Sequence, residues 1–458
     1  MAARFETVQA RRAHRAAVGI SSAKPRRKAG PIGTTVHFAV RRRPAKSRKC
    51  NATATGTGLG CALLPRIRAV LLVKIAIVTE TFPPEINGVA MTFGVIAREL
   101  GRRGHAVTVY RPRRDDLPSS GIHPEFAEVG LPGLPIPGYP MLRLGLPAGR
   151  TFRKLWQTHR PDLVHVATEG PLGASAVTAA RSLSVPVTSS FHTNFHAYAR
   201  HYGIAPLGRA VRGWLRHVHN RTERTFAPTA ELCEELRTLG FRAVSLLSRG
   251  VDTWLFHPAR RAGGLRLEWG AAPDDPVVLH VGRMAAEKNY GLLFGAFAAM
   301  RTANPRCRFV LVGDGPLRPR LQRENPGCIF TGFIARSELA RHYASADIYL
   351  HASLTETFGN VLTEAMASGL AVAGFDYAAV RQFVRHGSNG LAVRCDQPEA
   401  LVDAGVLLAT DEFLRAQLRL AARAGVEGQS WEKVIAQFEA DLATVAGISL
   451  RAVEAVPA

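Results

Sequence analysis

The chain has 458 residues, 47% of them apolar, which is room for two or three domains with full cores. Its formal charge of +23 is lopsided: 16 of the 59 lysines and arginines, but only one acid (Glu6), fall within residues 1–72. No apolar run nears the ~20 residues of a membrane span. The six scattered cysteines form no C-x-x-C pair, which argues against a disulfide scaffold or zinc site and fits a reducing compartment.

Residues 1–72 carry clusters such as Arg26-Arg27-Lys28 and Arg41-Arg42-Arg43 without apolar periodicity, so they are expected to be disordered. No compact apolar segment follows a short basic start, as a signal peptide requires. Gly56-Thr57-Gly58-Leu59-Gly60 lacks both the preceding strand and the spacing of a dinucleotide loop. Two readings stand for this stretch: a basic arm, or residues upstream of a true start near Val73. Its charge suggests an anionic partner. No aromatic and basic groove pattern accompanies it, so no specific nucleic acid is expected; a basic nucleic-acid-binding protein is the alternative of a different class.

Residues 73–258 read as a first α/β domain. Val73–Thr79 is a continuous apolar run, as in a buried parallel strand. Glu80–Ala90 is a Pro/Gly loop opening a helix to about Arg103, and His105–Tyr110 is the next strand, so the order is βαβ. In a doubly wound sheet the loop after the first strand faces the ligand crevice, which puts Asn87 and Gly88 where an acceptor or phosphate is met. Residues 117–149 are expected to be a long Pro/Gly-rich loop. Asp162–Thr168 is a strand, with Glu169 and Gly170 opening a helix, and Val185–Phe191 is a further strand. Segment 206–220 patterns as a basic amphipathic helix (Leu207, Val211, Trp214, Leu215, Val218). Such a helix either docks on an anionic membrane or packs Trp214 inward.

Residues 259–428 repeat the pattern. Arg260–Gly264 reads as linker; strands follow at Pro276–Gly282, Cys307–Gly313, Cys328–Thr331, Ile348–Leu350 and Leu370–Phe375. Residues 429–458 supply a final helix from about Trp431 to Val445 and a tail. The richest stretch is Ser353–Gly369, a strand end, a Gly359-Asn360 turn and a helix start. Asn360 is expected to be the N-cap, and the N–H groups of Phe358, Gly359, Asn360, Val361 and Leu362 form a ready anion site. Glu356 and Glu364 bracket it with carboxylates that accept hydrogen bonds from sugar hydroxyls. The combination suits a nucleotide sugar.

The spacing of Glu356 and Glu364, set in Glu-Thr-Phe-Gly-Asn-Val-x-x-Glu-Ala-Met-Ala-Ser-Gly, resembles the retaining glycosyltransferases of family 4. The resemblance covers roughly residues 74–446. Its Phe191-His-Thr-Asn-Phe-His-Ala-Tyr198, Tyr202-Gly203 and Gly374–Ala379 strings look most like bacterial GDP-mannose-dependent α-mannosyltransferases and glycolipid-forming enzymes. It implies a GT-B fold of two Rossmann-like domains facing a cleft, with the last helix crossing back to the first domain. Ser248-Arg249-Gly250-Val251-Asp252 is similar to the family's domain-junction motif. By resemblance, Arg283 and Lys288, after Gly282, grip the diphosphate near Gly313. Glu364 holds the ribose, Glu356 contacts hydroxyls of the transferred sugar, and His192 lies at the catalytic centre. His165 and Glu169 are further acceptor-side candidates. The resemblance implies a nucleoside diphosphate sugar as co-substrate (GDP-mannose first, UDP-glucose or UDP-glucuronate second) and a lipid or glycan acceptor. No D-x-D motif or metal-ligand cluster appears in the sequence, so these cations are expected to stand in for a divalent ion, with no metal and no cofactor. A cytoplasmic enzyme is expected, peripheral on the inner face of the cell membrane through helix 206–220.

Overall fold

The computed structural model describes residues 72–85, 87–114, 120–136, 139–192 and 208–448. The expectations for 1–71, for Thr193–Tyr198 and for Tyr202-Gly203 lie outside the described residues. Among the described residues, ten strands belong to the first half: β1 Lys74–Val78, β2 Ala106–Pro112, β3 Ser120–Ile122, β4 Phe126–Leu131, β5 Gly133–Ile136, β6 Tyr139–Gly145, β7 Leu163–Val166, β8 Val187–Ser190, β9 Arg224–Ala227 and β10 Val244–Leu246. Six belong to the second: β11 Val277–Val281, β12 Arg308–Val312, β13 Ile329–Gly332, β14 Ile348–His351, β15 Ala371–Phe375 and β16 Leu391–Val393.

The first sheet runs β10-β9-β8-β7-β1-β2-β4-β3, parallel throughout except for β3 against β4. The second runs β13-β12-β11-β14-β15-β16, all parallel. Parallel strands need helical crossovers on both faces, so their inner residues are covered twice. That is why β7, β8, β11, β14 and β15 are buried along their whole length. In each sheet the chain reverses direction beside its first strand, β1 with β7 on one side and β2 on the other, β11 with β14 and β12. Crevices open beyond the carboxyl ends at such reversals.

The last helix, Trp431–Ala446, returns to the first sheet. Its Phe438 is 1% exposed and meets the rings of Phe226 and His165 edge-on at 5.1 and 5.2 Å. Glu439 bonds Arg103 and His105 at 2.8 Å each. The chain also touches itself where it passes between halves: Val251 pairs with Ser430. A Cβ on Gly250 would lie 2.5 Å from the Trp431 backbone, so only glycine fits there.

Several expectations are corrected. The 117–149 stretch is not a bare loop: β3 and β4 extend the sheet, and β5 and β6 form an antiparallel ribbon. Pro135 sits in that two-stranded ribbon, where a missing N–H donor is tolerated. The supposed linker 260–264 holds a 3-10 turn, Pro258–Arg260, and the start of the helix Gly263–Glu268. It is fixed because Arg261 and Arg266 both reach Asp347 at 2.9 Å. The helix-cap position falls on Gly359 (φ +100°), not on Asn360, because the turn needs a left-handed residue there. In the helix Gly208–His219, Leu215 and Val218 are buried while Trp214 is 50% exposed, so Trp214 does not pack inward.

Phe438→Ala is expected to cost about 3–5 kcal/mol of unfolding free energy, since it empties a fully buried aromatic site in the first core. Denaturant unfolding measures this; a loss below ~1 kcal/mol would mean the helix is not part of the first core.

Candidate active site

The donor-side crevice is built by two loops. The loop after β11 starts at Gly282, whose N–H donates to Val312 O at 3.0 Å. Gly313 (φ +132°) closes on it so tightly that a Cβ would lie 2.0 Å from Gly282 O. The end of β12 therefore needs glycine, whereas a Cβ on Gly282 would make only ordinary contact, 3.8 Å from Lys288 Cε. Arg283 pairs with Glu287, four residues on, and Lys288 pairs with Glu356 from the loop after β14. Thus each expected phosphate-gripping cation has a carboxylate partner, and Glu287 is a member of the site that sequence spacing did not reveal.

Glu356 is mostly buried. Burial alone raises a carboxyl pKa, but Lys288, His351 and hydrogen bonds outweigh it and hold Glu356 at about 2. His351 lies beneath the turn, with Nε2 3.7 Å from a Cβ placed on Gly359, and burial takes its pKa down to about 4. Glu364 behaves oppositely. Burial pushes its carboxyl up to about 7, against the pull of Arg336 at 3.9 Å and a hydrogen bond from Tyr343 Oη at 3.3 Å. Tyr343 also donates to Val361 O at 3.2 Å, so it braces the helix start as well as Glu364.

At Asn360–Ala367 the expected N–H cluster is reduced by one: Leu362 N donates to Gly359 O at 3.0 Å, closing the first turn. Phe358 buries its ring against Phe383 and contributes only backbone.

The acceptor-side residues separate into different roles. Asn87 caps the helix Gly88–Arg102: its Oδ1 accepts from Val89 and Ala90 N–H at 3.1 and 2.9 Å, and its Nδ2 donates to Thr81. Its amide is committed to structure rather than to a ligand. Gly88 lies where the halves approach, a Cβ there standing 4.0 Å from Asn360 Nδ2. His165 is corrected to a core residue. It is fully buried, both ring nitrogens meet hydroxyls (Thr188 at 2.9 Å, Ser190 at 3.1 Å), and its ring stacks on Phe93. Burial lowers its pKa to about 3.

Glu169 lies beside Glu80, which the sequence reading passed over. Burial raises Glu80 to about 7, a backbone hydrogen bond from Leu172 (3.1 Å) opposes this, and Glu169 adds to it. Gly170 leaves room for that carboxylate, since a Cβ would sit 2.0 Å from it. His192 lies two residues past β8 and is buried. Arg249, from the domain junction, donates from Nη2 to its Nδ1 at 3.0 Å, and Nε2 has no partner among the described residues. Among the described residues no group of three His, Cys, Asp or Glu is placed to hold a metal.

Two family models match: "Glycosyltransferase Family 4" over residues 86–255 and "Glycosyl transferases group 1" over residues 275–411. A GDP-mannose-dependent alpha-mannosyltransferase of Mycobacterium tuberculosis is 36% identical, over 80% of this chain and 97% of that protein. One of Corynebacterium glutamicum is 32% identical, over 82% and 90%. Among solved structures, sucrose-phosphate synthase from Thermosynechococcus elongatus superposes with a TM-score of 0.67 at 18% identity, over 81% of this chain and 99% of that one. That likeness shows the two-sheet GT-B architecture. The chain belongs to glycosyltransferase family 4, as a hexosyltransferase that draws on a nucleotide sugar.

Proposed function

We propose that the chain transfers mannose from GDP-mannose to a hydroxyl of a lipid acceptor, with retention at the anomeric carbon and without a metal ion. The observation that carries the nucleotide-sugar site is the Lys288–Glu356 pair beside the Gly359-Asn360 helix start. A cation and backbone dipoles suit a diphosphate gaining charge, while a carboxylate held ionised suits sugar hydroxyls. The choice of guanine and mannose rests on the two relatives at 32 and 36% identity.

In this reading the bond between C1 and the β-phosphate oxygen breaks, and the acceptor oxygen bonds to C1 on the same face. The acceptor proton passes to the leaving phosphate. Lys288 and Arg283 turn from Glu356 and Glu287 toward the diphosphate and offset its charge. Glu356 accepts from the transferred sugar, Glu364 from the ribose, and His192 faces the sugar from the other side of the cleft. The enzyme works in the cytoplasm.

Exposed Trp214 on the helix Gly208–His219, with Arg212 and Arg216 on the same helix, supports peripheral contact with an anionic membrane. No helix among the described residues is long and apolar enough to cross one. Trp214→Ser is expected to weaken co-sedimentation with vesicles containing anionic lipid several-fold; unchanged sedimentation would remove this contact from the reading.

A thermal-shift screen tests the donor. GDP-mannose at a hundredfold excess over its Kd is expected to add about 2.7 kcal/mol of stability, and Lys288→Ala to abolish the shift. Stabilisation by UDP-glucose or UDP-glucuronate but not by GDP-mannose would replace the donor. The pH dependence follows from Glu364. Ribose hydroxyls favour the ionised carboxylate, so binding releases a proton wherever the empty site is protonated, that is, below about pH 7. Donor affinity is therefore expected to rise about tenfold from pH 6 to pH 8 and then level. Glu364→Gln should flatten the profile; a variant that keeps the parental pH slope would assign it to another group.

A further inference from the structure

We propose that Arg249 is a positioning residue: its guanidinium occupies Nδ1 of His192, fixes the imidazole as the Nε2–H tautomer, and makes His192 a hydrogen-bond donor rather than a base. An arginine has only donors, so the 3.0 Å contact between Arg249 Nη2 and His192 Nδ1 requires Nδ1 to accept. The ring proton then sits on Nε2. Both residues are buried, and His192 Nε2 and Arg249 Nη1 are left without an acceptor among the described residues. Buried donors without partners are rare and mark places where a ligand completes the site. Two of them at the carboxyl end of β8 await an oxygen acceptor. On the reading above, on which this part of the inference rests, that acceptor belongs to the sugar substrate.

The surroundings keep the ring neutral. Burial and then Arg249 hold its pKa well below the ordinary histidine range, with His165 and His219 adding to the effect. His165 lies on β7 and His219 closes the helix Gly208–His219, and both are buried and held near 3 by desolvation. Phe93, the ring packed beside His192 at 5.5 Å, carries no charge. A backbone hydrogen bond at Phe191 pulls the other way, and no carboxylate is among the groups that shift His192.

The test is a tautomer measurement on the full chain without substrate. Histidine-labelled protein is examined by long-range proton–nitrogen NMR, and His192→Gln assigns the resonance. Unprotonated Nδ1 and protonated Nε2 from pH 5.5 to 8 are expected. A protonated Nδ1, or titration inside that window, overturns the proposal. Arg249→Met is expected to mix the tautomers and lower kcat about tenfold, the worth of one hydrogen bond in the transition state, with little change in donor KM. Arg249→Gln, which keeps an N–H for Nδ1, should restore most of the rate. A methionine variant with parental tautomer and kcat sinks the idea; if that variant fails to fold, the parental spectrum alone decides. Absence of turnover with every sugar nucleotide would overturn the functional reading but leave the tautomer result standing.

Discussion

A carboxylate taken out of water must find a cation or take up a proton, and at Glu356 a cation arrives from a different strand connection. Lys288 follows β11 and Glu356 follows β14, neighbours in the second sheet. Their pairing ties together the two loops that flank the chain reversal, where a crevice is obligatory in this topology. The paired state also keeps two strong charges matched within a partly buried pocket instead of leaving bare ions there. The short Arg283–Glu287 pair repeats the device one step away. His351 and Tyr343, both invisible as site residues in the sequence, brace the carboxylates from below.

The first half is organised by the same constraint with fewer charges. Glu80 and Glu169 share one corner, and Glu80 is held at a pKa near neutrality by burial. Arg249 is a buried cation whose pKa is lowered by desolvation alone. The two halves thus present unlike chemistry across the gap: ion pairs on the donor side, and on the other side a neutral histidine with hydrogen-bond donors to spare.

Much of this was legible in the sequence because parallel strands announce themselves as continuous apolar runs. Val73–Thr79 and Pro276–Gly282 were recognisable without any partner strand in view, and the Glu356…Glu364 string marked the turn after β14 and the helix that follows it. What escaped depended on contacts far apart in the chain. Asn87 reads as a ligand-facing residue until its amide is seen capping the following helix. His165 reads as a crevice residue until Phe438, 273 positions later, closes over it. The prolines of 117–149 argued for loop, yet an edge ribbon tolerates them. Asn360 looked like a cap because its type favours caps, but the backbone there needed the left-handed turn of Gly359.

The chain passes between the halves twice, and the two passages lie side by side. Val251 pairs with Ser430, Gln429 bonds Arg249 O and Ser248, and Gly250 admits the Trp431 backbone with no space to spare. Mechanically this is a door on two adjacent pins rather than a ball on a tether. The halves are thus joined along one line, where Arg249–Val251 lies against Gln429–Trp431.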